Sequence, residues 1–310
     1  MSNSIIPIFI GGCPRSGTTM LGDLLSKHSE IGFTPELNFK LPLFKKISSK
    51  DIDPKPNELL DIVKKHPKAK SNNFNVTLKE NDLIGFDKYT MSRLITNNVI
   101  NNYLLSDKNV RFIADHTPSN LKIALALAKS YPESLFIHIV RDGRAVFNSV
   151  KKVTWGPNIP TDASTWWLSE LSFGFLAEVT GISIIRIHYE DLVINPKNEL
   201  DKIFDYLELD RKYKITDNVN KIIPNYSKKQ HMLVGQIPKI SRIDNWKKEL
   251  SEREIELFEI SSNVMLSNLG YNLMCKKNRS ISRIENIKYR LIDVYFKIIN
   301  LRKQKKKISS

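Results

Sequence analysis

IFIGGCPRSGTTMLGDLLS, residues 8–26, is the stretch whose reading decides the fold. Ile8, Phe9 and Ile10 form the short apolar run of a strand buried on both faces. The run breaks at Gly11-Gly12, passes through Pro14-Arg15-Ser16-Gly17, and resumes at Thr18 with helical spacing in Met20, Leu21, Leu24 and Leu25. Strand, glycine-bearing loop and helix, in that order, point backbone N–H groups and the positive end of a helix dipole at an anion. Gly12 and Gly17 have the spacing of a Walker A loop, yet Thr18 stands where a nucleoside triphosphatase carries lysine. The stretch describes a phosphate cradle without that lysine.

Outward from this unit, a turn at His28 leads through an extended piece to Thr34-Pro35-Glu36. Ligands of α/β sheets gather at the carboxyl ends of strands, which places Glu36 near the mouth of the loop. Residues 40–109 are dominated by Lys, Asn, Asp and Pro, with a helical patch at 58–65. They read as a substrate-side excursion from the sheet or an irregular cap. Order returns with a strand at 111–115, then Thr117 as an N-cap with Pro118 at the first helical position. Ser134 to Val140 has the continuous apolar character of a parallel-sheet interior, and His138 within it reads as a packed core residue.

That strand ends in Arg141-Asp142-Gly143-Arg144, and the helix beginning near Ala145 carries Ser149. Two arginines at a strand's carboxyl end form a second anion-binding constellation, since Asp142 can hold one of them but hardly both. Trp155, Trp166 and Trp167 can line a pocket or fill a core, and core is the favoured reading. A strand at 182–187 leads into Tyr189-Glu190-Asp191-Leu192, and a helix follows Pro196. Residues 210–244 are loop-like and basic, with Lys228, Lys229, Lys239 and Arg242; a helix over 251–269 ends at Gly270. The alternation gives an α/β fold over residues 1–275, a P-loop-like, mainly parallel sheet with helices on both faces.

The net charge is +15, of which +10 falls in residues 276–310, leaving only +5 for the other 275. A general nucleic-acid reading would rest mostly on that segment. Within it, Ile281, Ile284, Ile287, Leu291, Val294, Ile298 and Leu301 recur in steps of three and four, the pattern of a C-terminal basic amphipathic helix. Such a helix can pack on the body, on a protein partner, or on an anionic membrane. Two cysteines, Cys13 and Cys275, make neither a disulfide framework nor a metal knuckle, and Cys13 reads as a small buried side chain. The chain begins in strand-like sequence without a basic leader, and no apolar run approaches a membrane span. A cytoplasmic protein, peripheral at a membrane at most, is expected.

The order PRSGTT (14–19), RDGRAVFNS (141–149), YEDL (189–192) and RIDNWKK (242–248) resembles the sulfotransferases that use 3′-phosphoadenosine-5′-phosphosulfate (PAPS). The likeness covers most of residues 5–272, is weak over 40–109, and lies closest to the bacterial and tyrosylprotein branches. It implies that Arg15, Ser16, Gly17, Thr18 and Thr19 hold the 5′-phosphosulfate, and that Arg141 and Ser149 bind the 3′-phosphate. It further implies that Tyr189 contacts the adenosine, that the loop around Arg242 folds over the 3′-phosphate, and that PAP is the product. Glu36 matches the general base of that branch, and Arg15 the residue that follows negative charge onto the bridging oxygen.

The resemblance departs at His116, where relatives often have lysine, and at Asn245, where a basic residue is common. His116 is read as a neutral hydrogen-bond donor to the sulfuryl oxygens or as an alternative base. The family needs no metal for catalysis, in keeping with the missing Walker lysine. Thr19 and Asp115 are the only residues placed to complete a magnesium site. The acceptor implied is a hydroxyl on a carbohydrate, a glycolipid, a peptide tyrosine or a small metabolite. Two other classes compete: a kinase with a degenerate phosphate loop, and a non-catalytic nucleotide-binding protein that docks on membranes through 276–310.

Overall fold

The computed structural model describes residues 5–49, 53–72, 74–104, 110–151, 153, 155–213, 239–275 and 279–308. Five strands, β1 (Ile6–Gly11), β2 (Ile31–Phe33), β3 (Phe112–Asp115), β4 (Leu135–Val140) and β5 (Ile184–His188), form one sheet in the order β2-β3-β1-β4-β5. β1 is central and parallel to both neighbours, with Ile8 opposite Ala114 on one side and Leu135 on the other. Parallel neighbours need crossovers, and helices supply them. They are α1 (Thr18–Leu25), α2 (Lys40–Ser48), α3 (Pro56–Lys65), α4 (Pro67–Ser71), α5 (Lys88–Tyr103), α6 (Ala124–Ser130), α7 (Gly143–Val150), α8 (Pro160–Glu178), α9 (Tyr189–Ile194), α10 (Pro196–Tyr206), α11 (Asn245–Glu249), α12 (Glu252–Asn268) and α13 (Arg283–Ile308).

The chain divides into two compact units. One comprises Met1–Gly12, Gly17–Ile139 and Phe173–Pro238, the other Cys13–Ser16, Val140–Ser172 and Lys239–Ser310. In the first, strand alternation sorts the core onto two faces of the sheet. Phe9, Ile113 and Phe136 pack with side chains from α2, α3, α5 and α6. Ile8, Ile10, Ala114, Leu135 and Ile137 pack with Leu21, Leu24 and Leu25 of α1 and with Leu200, Ile203 and Phe204 of α10. Each such leucine contributes about 1.5–3 kcal/mol by leaving water. In the second unit, Phe258 of α12 lies against Phe147 of α7 and Trp167 of α8.

Several expectations change in detail. Residues 40–109 are largely helical among the described residues, α2 to α5 running between β2 and β3. Their apolar positions, such as Leu59, Leu60, Val63, Ile95 and Val99, are buried. The stretch looked irregular because its exposed faces hold many lysines and asparagines. Thr117 does not cap the turn of 3-10 helix at Pro118–Ile123, since its hydroxyl is drawn to Asp115 instead. Trp167 is fully buried, as read, but Trp155 is half exposed. Cys13 and His138 are buried. Residues 214–238, with Lys228 and Lys229, lie outside the described residues.

Candidate functional site

The loop after β1 has the backbone of an anion cradle. Gly12 has φ +148°, and a Cβ there would stand 2.4 Å from the carbonyl oxygen of Ile139. Gly17 has φ +101° and caps α1; a Cβ there would meet the Tyr189 ring at 2.6 Å. Only glycine permits both approaches. Arg15 adopts φ +76° without being glycine, a left-handed conformation that costs about 1–2 kcal/mol. Such strain collects where a side chain is held for use. The first turn of α1 carries no acidic residue, so its free N–H groups and dipole favour an anion. Thr18 is buried and Thr19 half-buried at that end.

In the second unit, four of the expected residues form one connected group. Arg15 donates from Nε to Ser149 Oγ at 3.0 Å. Arg141 donates from Nη1 to the Arg15 carbonyl at 2.9 Å, and from Nη2 to that of Arg242 at 3.5 Å. Ser16 is fully buried, and its hydroxyl has no hydrogen-bond partner among the described residues. A buried hydroxyl of this kind is costly unless a ligand completes it. Two guanidinium groups, those of Arg15 and Arg141, and a buried hydroxyl without a partner among the described residues suit an anion. Arg242 lies in a short exposed turn, Ile240–Arg242.

Arg144, three residues after Arg141, is committed elsewhere. It is buried, held by Asp142 (Nη2 to Oδ2, 2.7 Å) and by Glu259 (Nη1 to Oε1, 2.5 Å). Its guanidinium lies 4.1 Å from the Trp246 ring. Glu259 also accepts from the backbone N–H groups of Met274 and Cys275. Arg141, by contrast, is half-buried and bonds the Arg15 and Arg242 carbonyls.

In the first unit, Glu36 follows β2, with its side chain about a quarter exposed. Asn38 Nδ2 donates to its Oε2 at 2.9 Å, and Lys68 Nζ lies 3.5 Å from the same oxygen. His116 directly follows β3, buried and stacked on Phe33 with ring centroids 4.7 Å apart. Burial lowers its pKa, against the opposing pull of Glu36, so the imidazole is neutral at pH 7. Its Nδ1 has no hydrogen-bond partner among the described residues. Tyr189 opens α9, buried beside Gly17.

Beneath Glu36 and His116 lies a network that sequence reasoning missed. Lys40 is fully buried and donates to Asp115 and Asn120, with its ammonium 4.6 Å from the centre of the Phe9 ring. Asn120 Nδ2 donates to the carbonyls of Ile10 (3.1 Å) and Asp115 (2.9 Å). Thr117 Oγ1 donates to Asp115 Oδ1 at 2.6 Å and accepts from the N–H of Leu37 at 2.9 Å. Burial alone would raise the pKa of Asp115, but Lys40 and Thr117 override it and hold the carboxyl below its usual range. The network ties the end of β1, the end of β3 and the residue after Glu36 together. It also engages Asp115, the strand-end acid that the sequence offers to a magnesium ion at Thr19.

Residues 7–213 match the Sulfotransferase family. Protein-tyrosine sulfotransferase 2 of Gallus gallus is 26% identical over 207 residues, covering 64% of this chain and 50% of that protein. Nodulation protein NoeE of Sinorhizobium fredii is 25% identical over 307 residues, covering 87% and 68%. The chain spans about half the length of the tyrosine sulfotransferases of Gallus gallus and Caenorhabditis elegans that it matches. The sulfotransferase domain of the Synechococcus PCC 7002 olefin synthase superposes with a TM-score of 0.56 at 20% identity, covering 88% of this chain and 97% of the domain. That likeness speaks for the fold alone.

Proposed function

The chain belongs to the sulfotransferase family, and we propose that it moves the sulfuryl group of PAPS to an acceptor hydroxyl by in-line transfer, releasing PAP. The observation that carries this reading is the hydrogen-bonded group of Arg15, Ser149 and Arg141, on a loop that has Thr18 where a triphosphatase has lysine. Arg15, Ser16, Gly17, Thr18 and Thr19 hold the 5′ end of the donor; Arg141, Ser149 and Arg242 hold the 3′-phosphate; Tyr189 lies along the adenosine. The donor supplies an activated sulfuryl group, so the protein has to bind, orient and handle one proton.

Glu36 takes the proton of the attacking hydroxyl. Arg15 places its charge on the bridging oxygen as the sulfur–oxygen bond breaks. His116, neutral, hydrogen-bonds the sulfuryl oxygens, and serves as base if Glu36 does not. No metal is required where Arg15 supplies the positive charge, and the engagement of Asp115 by Lys40 counts against a magnesium-dependent kinase.

A carbohydrate or glycolipid hydroxyl is the first acceptor class to test. Peptide tyrosine follows, being the acceptor in the names of relatives 25–26% identical, and then small metabolites. Cytoplasmic action goes with this reading, as does association of 276–310 with a membrane surface or a protein partner. The test is incubation with labelled PAPS and fractionated acceptor classes, followed by mass spectrometry of the product, with and without EDTA. A sulfated product that forms in EDTA is expected. Turnover that vanishes with EDTA and returns with Mg²⁺ would overturn the reading in favour of a kinase.

A further inference from the structure

Helix α13 presents two different sides. Its start is clamped to α12. Arg253 donates to Glu285 through Nε (2.8 Å) and Nη2 (2.9 Å), and to the carbonyls of Arg279 and Ser280. Arg279 in turn pairs with Glu256 at 2.9 Å. Ser282 and Glu285 close a reciprocal cap, Ser282 N to Glu285 Oε2 at 2.9 Å and Glu285 N to Ser282 Oγ at 3.2 Å. Glu285, Asn286, Tyr289, Ile292 and Asp293 are half-buried and form the seated side.

The stripe that the sequence marks as apolar is on another side. Ile284 (80% exposed), Ile287, Leu291, Val294 and Ile298 (45%) all face solvent. They recur at i, i+3, i+7, i+10 and i+14, so they fall in one band of the helix. Among the described residues this stripe is left largely uncovered. Basic positions flank the band: Arg283 and Arg290 lie seven residues apart along one margin, and Lys288 lies on the other, all three exposed. Over Arg283–Ile308 there are nine Lys or Arg against Glu285 and Asp293.

We infer that this face of α13 is an interfacial helix that docks the protein on an anionic lipid bilayer. It gives a partner to the association role read above and rests on that role alone, independent of donor and acceptor. An anionic bilayer satisfies both features at once. The isoleucine and leucine band enters the acyl boundary, while flanking Lys and Arg keep their charged ends among the phosphates. A second copy of the chain fits less well, because it would bring two segments of charge +10 together. A nucleic acid would meet the charge and leave the band in water. Among the described residues no helix is long and apolar enough to cross a membrane, so the contact would lie on the surface.

The test is sedimentation of the full chain with vesicles at 0.1 M salt. One set is phosphatidylcholine alone and the other contains 30% phosphatidylserine. Association should be at least about tenfold stronger with the anionic set and should fall steeply at 0.5 M salt. Ile287→Glu with Leu291→Glu should reduce it by at least about tenfold, with an unchanged circular dichroism spectrum and unchanged PAP affinity by calorimetry. Three results would each overturn the inference: equal binding to both vesicle sets, unaltered binding of the double variant, or no binding to either. So would a concentration-dependent dimer in sedimentation velocity that the double variant abolishes, which would assign the face to a second copy.

Discussion

At the end of β3, Asp115 is neutralised by the buried ammonium of Lys40; just after β4, Asp142 is neutralised by the buried guanidinium of Arg144. Both pairs are dry, and both are completed by further hydrogen bonds, from Thr117 to Asp115 and from Arg144 to Glu259. The residues beside them differ. Next to the first pair stands His116, kept neutral by burial; next to the second stands Arg141, half-buried and charged, bonded to backbone carbonyls. On the proposed reading, the first strand end would handle a proton and the second would hold a fixed anion. A buried ion pair adds little net stability in such places. It fixes the backbone beside its neighbour.

The largest effect that would sharpen this contrast is on turnover. Glu36→Gln should slow transfer by about 10²–10⁴-fold while PAP binding, followed by calorimetry, persists. Near-normal turnover would move the proton acceptor to His116. Next come the pairs themselves. Lys40→Met and Arg144→Met each strand a buried carboxylate and should cost about 3–5 kcal/mol in urea unfolding. Adding Asp115→Leu to Lys40→Met should recover part of that loss. A single Lys40→Met variant as stable as the parent would mean the pair does not set the strand end.

Arg141→Ala should weaken PAP by about 10–100-fold, the range of one to two charge-assisted hydrogen bonds. A nucleotide lacking the 3′-phosphate should change little, and equal losses for the two ligands would remove its assigned role. The smallest effect concerns pH. The folded-state pKa of His116 is depressed below 6.5, so on acidification the unfolded chain takes up the proton first. Its contribution is thus destabilising as pH falls below about 6.5, by at most about 1.4 kcal/mol per pH unit. The stability difference between the parent and His116→Gln, measured by urea midpoint at pH 7 and pH 5, should shift in favour of the variant at pH 5.

The parts of this arrangement that sequence discloses are the local ones. Ile8-Phe9-Ile10 and the glycines after them mark strand and loop because period and backbone freedom are written in adjacent residues. Arg141 and Arg144 could not be told apart in the same way. Arg144 is claimed by Glu259, whose place against it depends on how α12 returns to α7. Lys40 sits in a lysine-rich run and reads as solvated until β3 brings Asp115 to it. Thr117 has the sequence of a cap and the bonds of a clamp, since a nearby carboxylate outcompetes the helix N–H groups. Distance along the chain hid the partners of Arg144 and Lys40, whereas Thr117 was misread because its neighbour Asp115 competes for the hydroxyl.

The left-handed backbone of Arg15 has a practical corollary for anyone engineering this protein. Arg15→Gly would relieve about 1–2 kcal/mol of backbone strain and forfeit the hydrogen bond to Ser149, of comparable size. Its melting temperature should stay near that of the parent while transfer collapses. A library sorted on folded yield or thermal shift would therefore retain this inactive variant as silent, and only an assay that counts product would reveal what had been lost.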